Sequence, residues 1–153
     1  MIALAPTLES ELVRCETFNT RADFDYLREI IIQNPEPGYT TEQLVDATLK
    51  SGRYFWTVRI DGQRRGVVYI LQLGDKYILE ALKDKTLTGR TGLQISLAVG
   101  RMVLGFMAGI TDTIYTCARP QDKAIQALCH KLGFKVLGNR NQEIIVYRRE
   151  ETK

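Results

Sequence analysis

Hydrophobic and polar positions along the first third of the chain change from an alternating to a helical period. Residues 12–18 (LVRCETF) are short and partly alternating, which predicts a strand, and the apolar spacing over residues 22–33 predicts a helix that ends at the sequence NPEPG. Thr40 with Gln43 three residues later is typical of a capping box, so a second helix begins there. Two helices therefore follow the first strand.

The middle of the chain has the pattern of an antiparallel meander. Segments 53–60 (RYFWTVRI) and 65–73 (RGVVYILQL) are rich in aromatic and β-branched residues, and Asp61-Gly62 between them is a strong hairpin signal. After a Gly-Asp turn, the segment KYILEAL at 76–82 predicts a third strand of this meander.

The second half alternates helices with strands. A polar loop at 83–92 precedes a strongly apolar helix at about 93–107, then come a strand at 113–118, a helix at 121–132, and two last strands with the sequences FKVLG and EIIVYR. The order β-α-α-β-β-β-α-β-α-β-β predicts one α/β (α+β) domain over residues 1–153. Its sheet should be mixed, mainly antiparallel, with about seven strands and helices on both faces.

Composition and charge narrow the class of protein. The chain has 153 residues, 44% hydrophobic and 25% charged, which suits one globular domain. The net charge is +3, but basic and acidic residues are interleaved, so a nucleic-acid partner is not indicated. The aromatic run at 54–56 is the feature that would suit base stacking, and we rank that interpretation last.

Cysteine usage and hydropathy predict a cytoplasmic location. The 3 cysteines are widely spaced without a CxxC pair, which indicates neither a disulfide framework nor a cysteine zinc site, and the N-terminus lacks a signal-peptide pattern. The most apolar run, 95–110, contains Arg101 and is shorter than a membrane span requires. We expect it to be a buried helix and expect no membrane association.

The segment RPQDKAIQALCHKLGF, residues 119–134, combines a helical pattern with the chain's only histidine next to a cysteine. Its apolar stripe comprises Ala124, Ile125, Leu128, Cys129 and Leu132. Gly133 suits the left-handed position that closes a helix. Successive helical residues point about 100° apart, so Cys129 and His130 should not form a nucleophilic pair, and no ligand cluster supports a metal site.

This segment resembles the final helix motif of the GNAT superfamily of N-acetyltransferases, which commonly reads R-P-x-N-x-x-A-x-x-L-Y-x-K-L-G-F. The residues in register with it are Arg119, Pro120, Ala124, Leu128, Lys131, Leu132, Gly133 and Phe134. Asp122 stands where asparagine is usual and Cys129 where tyrosine is usual. The order of elements extends the resemblance over residues 12–148.

The resemblance implies a site for acetyl-CoA as co-substrate, with no metal, in a cleft where the strands at 76–82 and 113–118 splay apart. The family holds the CoA pyrophosphate on backbone amides of a loop reading Q/R-x-x-G-x-G/A, where unpaired N–H groups and the helix dipole attract an anion. Gly92 aligns with the central glycine, while Gly89 and Gln94 depart from the pattern. The implied cofactor-binding residues are Leu82, Gly89, Arg90, Thr91, Gly92, Leu93, Gln94 and Asp122.

The resemblance also implies catalytic roles. Glu80 occupies the strand from which the family presents a general base for the acceptor amine, although residues 77, 79 and 81 would leave it facing solvent on the opposite face. Cys129 takes the place of the tyrosine that protonates the departing CoA thiolate, and Tyr115 is a substitute for that role. For Cys129 we prefer packing as a small hydrophobic residue.

Two functions remain open from the sequence. The first is an N-acetyltransferase acting on a primary amine, with the acceptor, a small molecule or a protein, against the first two helices and the loop at 34–39. The second is a GNAT-like domain without acetyl transfer that binds protein partners in a larger assembly. The altered phosphate loop and the missing helix tyrosine favour the second function. Both remain open because fold alone does not determine function.

Overall fold

The computed structural model describes residues 2–140 and 144–150, which form one eight-stranded sheet and four helices. In chain order the elements are β1 Leu8–Glu9, β2 Arg14–Thr17, α1 Thr20–Gln33, α2 Thr41–Ser51, β3 Gly52–Ile60, β4 Gln63–Leu73, β5 Lys76–Lys83, α3 Gly89–Met107, β6 Thr113–Ala118, α4 Lys123–Lys131, β7 Lys135–Arg140 and β8 Ile144–Glu150.

The sheet is antiparallel except at one junction. Its strand order is β1-β2-β3-β4-β5-β6-β8-β7, and only β5 and β6 run parallel among the described strands. The β3–β4 hairpin turns at Asp61-Gly62, where both residues have positive φ angles. A type of turn with two left-handed positions matches the twist of the flanking strands, which is why the Asp-Gly pair sets this register.

Each face of the sheet carries its own hydrophobic core. The apolar sides of α1 and α2 pack on one face, where Leu27, Ile30 and Val45 contact Phe55 of β3. The other face is covered by α3 and the end of α4, with Trp56 fully buried beneath them. The helices on both faces and the mainly antiparallel sheet confirm the predicted architecture.

Local signals predicted most helix ends correctly. The Thr40 side chain accepts from the Gln43 amide at 3.1 Å and the Gln43 side chain accepts from the Thr40 amide at 2.8 Å, so the capping box is confirmed. Helix α3, however, begins at Gly89, four residues before the predicted start. The two-residue strand β1 adds an edge that the sequence pattern did not predict, because two residues carry no alternation. Residue Glu143, in the last predicted strand, lies outside the described residues.

Candidate active site

The sheet opens between its two parallel strands. A single register pair, Ile78 with Tyr115, joins β5 to β6 among the described residues. One residue further on, the buried Thr116 hydroxyl donates to the Leu79 carbonyl at 2.8 Å. Beyond these contacts no register pair is present in the described part, so the pairing of β5 with β6 stops there, and we call the space between their carboxyl ends the gap.

Backbone groups of Ala81 face this gap. The Leu79 carbonyl points toward β6, and since the backbone groups of a strand alternate sides, the N–H and C=O of Ala81 point the same way. Leu82 instead pairs with Val67 of β4. Its carbonyl lies close to β4, since a Cβ placed on Gly66 would be 2.8 Å from the carbonyl oxygen. The main-chain groups of Ala81 therefore point toward the gap and those of Leu82 toward β4, and the predicted cofactor contact at Leu82 stays a prediction.

Glu80 lies at the start of the gap and turns toward the face covered by α1 and α2. Its register partner on β4 is Tyr69, a buried residue of that core. Burial raises the pKa of Glu80 from 4.5 to about 7, and the Glu36 carboxylate adds to the increase. The alternative of a merely solvated strand carboxylate does not describe this side chain, which is partly buried.

The loop between α1 and α2 brings a second carboxylate to Glu80. Glu36 of this loop pairs with Arg119, at the end of β6, with Nη2 of the arginine 3.3 Å from Oε1 of the glutamate. About half of each side chain is exposed, 49% for Arg119 and 53% for Glu36, so the ion pair contributes little stability. The ion pair matters for its position, because it connects the α1–α2 loop to the end of β6 near Glu80.

The start of α3 presents unpaired amides. Thr88 is the N-cap residue, but its side chain makes no capping hydrogen bond. The first amide with a helical hydrogen bond is that of Gly92, which donates to the Thr88 carbonyl at 3.2 Å. The N–H groups of Gly89, Arg90 and Thr91 have no partner in the described part of the chain. Three unpaired amides at the positive end of a 19-residue helix form a site that suits phosphate oxygens.

The predicted phosphate-binding residues fall into two groups in the structure. The amides of Gly92, Leu93 and Gln94 belong to the helical hydrogen-bond pattern of α3, and their predicted role toward CoA stays a prediction. Gly92 has a different role, since a Cβ there would lie 2.7 Å from the Leu87 carbonyl oxygen. Glycine at this position allows the loop to pack against the first helical turn.

The side chains around these amides leave them accessible. Arg90 and Gln94 are both exposed, so neither fills the groove. Gly89 has φ +66°, a left-handed conformation that favours glycine, and nothing lies within 4 Å of the place where its Cβ would be. The exposed cations Lys85 and Arg90 stand on the same loop and turn. The residues present therefore fit the pyrophosphate of CoA.

The loop that leads into α3 is held by the end of α1. The Lys85 amide donates to the Gln33 side chain at 3.1 Å, and the Asn34 side-chain amide donates to the Lys83 carbonyl at 3.3 Å. Asp84 also accepts from the Thr86 hydroxyl at 2.6 Å and from the Thr86 amide at 2.9 Å, and these hydrogen bonds lower the pKa of its carboxyl. Four successive residues, 83–86, are thereby fixed before any ligand binds.

The α4 segment is explained mainly by packing. Cys129 is 4% exposed, and burial raises the pKa of its thiol to about 11, whereas His130 is exposed on another side of the helix. Leu132 packs so closely on α3 that a Cβ on Gly100 would lie 2.6 Å from it. The stripe was predicted too long, since Ala124 and Ile125 are exposed and α4 contacts α3 near its end.

Two further predicted site residues have structural contacts. Asp122 caps α4, where its carboxylate accepts from the Ile125 amide at 3.1 Å. Tyr115 lies at the joined end of the two parallel strands, with the Lys76 ammonium 5.4 Å from its ring centre. Their predicted roles toward CoA stay predictions.

The aromatic run at 54–56 does not form a stacking surface. Phe55 and Trp56 are 1% and 0% exposed, and Tyr54 packs edge-on against Phe106 with 5.3 Å between ring centres. The Trp56 indole N–H donates to the Pro6 carbonyl at 2.8 Å. The feature that would have suited base stacking is part of the core.

Sequence reasoning missed two residues of the gap, Glu36 and Ala81. Glu36 was predicted only as one residue of the loop at 34–39, on the acceptor side, without a role of its own. It meets Glu80 and Arg119 through the fold rather than through any local spacing. Ala81 has no chemical side chain, and the orientation of its peptide groups becomes visible only once the pairing of β5 is known. The motif at 119–134 had already placed Arg119 in register with the family.

Several solved structures that share this fold are acetyltransferases. The ribosomal-protein-S5-alanine acetyltransferase from Vibrio fischeri superposes with a TM-score of 0.72 at 14% identity, covering 95% of this chain and 97% of its own. A GNAT-family acetyltransferase from Bacillus anthracis gives 0.70 at 14% identity, with 94% and 98% covered. RimL, a ribosomal L7/L12 alpha-N-protein acetyltransferase solved in complex with coenzyme A, gives 0.71 at 10% identity, with 94% and 97% covered.

These likenesses establish the fold over nearly the whole chain, and the predicted GNAT-like architecture is confirmed. No protein-family model and no curated protein matches the sequence. None of the helices in the described part is long and apolar enough to cross a membrane. No three His, Cys, Asp or Glu side chains among the described residues lie together as metal ligands.

Proposed function

We propose that this chain is an N-acetyltransferase that moves an acetyl group from acetyl-CoA to a primary amine. The observation that supports it most is the pairing of two features at one opening of the sheet. A carboxyl group with a pKa of about 7 lines the gap, and a helix start with three unpaired amides lies beyond the same end of β5. One feature suits proton removal from an amine, and the other suits the phosphates of the donor.

The distribution of charge supports an orientation of the two substrates. Lys85 and Arg90 are exposed beside the unpaired amides, so the donor phosphates belong at the α3 end. Glu80 lies toward the α1–α2 loop, where its ionised form attracts an ammonium group, while the Glu36 carboxylate in that loop is paired with Arg119. The acetyl group would then lie between them, alongside the peptide groups of Ala81.

Glu80 prepares the amine for attack. An alkylammonium has no lone pair, so one proton must leave the nitrogen before a bond to the acetyl carbon can form. Near neutral pH a substantial fraction of Glu80 is ionised, and its carboxylate accepts that proton directly or through water. The amine lone pair then attacks the acetyl carbonyl, and the C–S bond breaks to release CoA as its thiolate. The nitrogen loses its second proton as the amide forms, and the thiolate takes up that proton to leave as the thiol.

The Ala81 peptide groups orient the donor in this scheme. They face the gap that opens after Thr116, and an extended chain lying there would complete the hydrogen bonding of β5 in place of β6. The pantetheine arm carries amide groups of its own and suits this position. Because main-chain groups are fixed by the sheet, they hold the thioester without further ordering.

The first test is thermal unfolding with and without millimolar acetyl-CoA, with ATP as a control for a general response to phosphates. A ligand at 100 times its Kd stabilises the folded state by about 2.7 kcal/mol, a shift of a few degrees for a domain of this size. Gly89→Val, which forces a side chain into the left-handed position before the amides, should reduce the shift. Gly74→Val is the matched control, since Gly74 also has a positive φ, at +63°, in a turn outside the site.

The second test separates chemistry from donor binding. Release of CoA thiol is followed with a panel of primary amines, comparing the wild type with Glu80→Gln. The proposal predicts an unchanged acetyl-CoA shift and a loss of turnover of about 10²-fold or more in the variant. A protein that shows no acetyl-CoA shift would instead be a GNAT-like binding module, and partner capture would be the next experiment. Full turnover in Glu80→Gln would remove Glu80 from the mechanism.

A further inference from the structure

A row of side chains crosses the face of the sheet that α1 and α2 cover, and it ends at Glu80. Neighbouring strands pair Phe55 of β3 with Tyr69 of β4, and Tyr69 with Glu80 of β5. Phe18, directly after β2, extends the row at its other end, because its amide donates to the Phe55 carbonyl at 3.1 Å. Three buried aromatic rings therefore stand in line beside one carboxyl group.

The rings hold one another in place. Phe55 and Tyr69 stack with 4.7 Å between their ring centres and 9° between their ring planes. Phe18 packs against Phe55 with 4.5 Å between ring centres. The Tyr69 hydroxyl is hydrogen-bonded to Thr48 of α2. Because the stack holds the plane of the ring and α2 holds its hydroxyl, Tyr69 keeps one orientation beside Glu80.

Tyr69 limits the contact of Glu80 with water. Residues directly opposite each other in an antiparallel pair have Cβ atoms about 4.5 to 5.5 Å apart, so the ring of Tyr69 covers Glu80 on its β4 side. Burial is the largest cause of the raised pKa of Glu80. The effect is mutual, since burial and then the Glu80 charge raise the pKa of the Tyr69 phenol. On its β6 side, Glu80 meets the gap, where the pairing of the strands has stopped.

We propose that Tyr69 is a positioning residue for Glu80, with a ring that keeps water from the β4 side of the carboxyl group and directs that group toward the gap. The inference rests on the acetyl transfer proposed above, in which Glu80 accepts a proton from the amine. A carboxylate shielded in this way is a stronger base than one in water, because desolvation disfavours the charged form. The ring acts through Glu80 and need not touch either substrate.

The other titratable or charged groups that face Glu80 come from the α1–α2 loop, β6 and α4. They are Glu36, Cys117, Arg119 and Cys129. Cys117 is placed there by extending the parallel register of β5 and β6 by two residues. None of these groups is altered when Tyr69 is replaced, so a change in the titration of Glu80 would report the loss of the ring.

The test is the pH profile of kcat, measured with acetyl-CoA and one amine, both saturating, in the wild type and three variants. Turnover should rise with pH as Glu80 ionises. Tyr69→Phe keeps the ring and should leave the apparent pKa of this ascending limb near the wild-type value. Tyr69→Ala removes the ring and should lower that pKa by at least about one unit, because water then reaches Glu80.

The size of turnover gives a second readout. The plateau of kcat should fall about tenfold in Tyr69→Ala, because a carboxylate of lower pKa is a weaker base. Tyr69→Leu removes less volume and should move the limb in the same direction by a smaller amount. If the alanine variant does not fold, the leucine variant carries the test.

Phe18→Leu is the matched control. Phe18 is as buried as Tyr69, 8% against 7% exposed, and belongs to the same row, but Phe55 and Tyr69 stand between it and Glu80. The control should destabilise the protein about as much as Tyr69→Leu and leave the pH profile unchanged. If Phe18→Leu moves the limb as far as Tyr69→Leu, or if no Tyr69 variant moves it, Tyr69 only fills the core and the proposal fails.

The same experiment separates this inference from the function on which it rests. Each variant should retain the thermal shift with acetyl-CoA, because Tyr69 lies outside the proposed donor site. Absence of turnover in the wild type with every amine tested would overturn the acetyl transfer and the positioning role with it. Turnover in the wild type, together with an unmoved limb in Tyr69→Leu, would overturn the positioning role alone.

Discussion

Because the pKa of Glu80 is raised, ionisation of its carboxyl should lower the free energy of unfolding as pH increases. Glu80→Gln should remove this pH dependence. Burial and the Glu36 carboxylate raise the pKa from 4.5 to about 7. Each pKa unit corresponds to about 1.4 kcal/mol, so ionising Glu80 costs up to about 3 kcal/mol more in the folded protein than in the unfolded chain. Residual solvent contact of the carboxyl makes about 2 to 3 kcal/mol the expected range.

The sign follows from proton binding in the two states. Between pH 4.5 and about 7 the folded protein keeps the Glu80 proton while the unfolded chain loses it, so the free energy of unfolding falls as pH rises through this window. Glu80→Gln stays neutral and lacks this decrease. The variant should match the wild type near pH 4, apart from a constant offset, and exceed it by about 2 to 3 kcal/mol near pH 8.

Urea unfolding at a series of pH values measures this difference. Trp56 is the only tryptophan and is fully buried, so its fluorescence reports unfolding directly. Glu11→Gln, at an exposed turn, is the control and should follow the wild type at every pH. If the wild-type and Glu80→Gln curves run parallel from pH 4 to pH 8, Glu80 is not held in a protonated state by the fold, and its candidacy as a base with a raised pKa fails.

Three shorter predictions concern neighbouring features. Glu36→Gln removes a like charge and should lower the pKa of Glu80, moving the midpoint of the pH-dependent stability change to lower pH. Gly92→Ala places a Cβ 2.7 Å from a carbonyl oxygen and should destabilise the protein by about 1 to 3 kcal/mol in urea unfolding. Gly105→Ala, at an open position of the same helix, should be neutral or stabilise by up to about 1 kcal/mol, and an equal loss in both variants would contradict the steric argument. Cys129 is buried with its thiol pKa raised to about 11, so a thiol reagent should modify it only on unfolding, as peptide mapping would check.

Most of the fold could be predicted because its signals are local. The capping box at Thr40 and the Asp61-Gly62 hairpin each depend on residues within four positions of one another, and the structure has both. The start of α3 was placed too late because glycines at 89 and 92 disfavour a helix on propensity alone. The contact of Gly92 with Leu87 compensates for that preference, and no sequence pattern reports such a contact.

The candidate site was less accessible to sequence reasoning. The family resemblance directed attention to Glu80 and to the turn before α3, but it could not give the burial that raises the pKa of this carboxyl. Glu36 lies 44 positions before Glu80 in the chain and influences it only because the α1–α2 loop folds over the gap. Helical periodicity alone was enough to predict that Cys129 packs as a small hydrophobic residue. Its burial agrees with that prediction.

The end of α1 contacts the segments on both sides of the gap, where we propose that the donor and the acceptor bind. Gln33 and Asn34 hold the loop that leads to the unpaired amides, and two residues further on Glu36 reaches across to Arg119. A ligand that displaces Glu36 should also move residues 33 and 34, which are hydrogen-bonded to the loop before α3. Occupancy of the acceptor side should therefore alter the affinity for the donor, and by thermodynamic reciprocity the donor should alter acceptor affinity by the same factor. The four fixed residues at 83–86 thus give the proposed donor and acceptor equilibria a common segment.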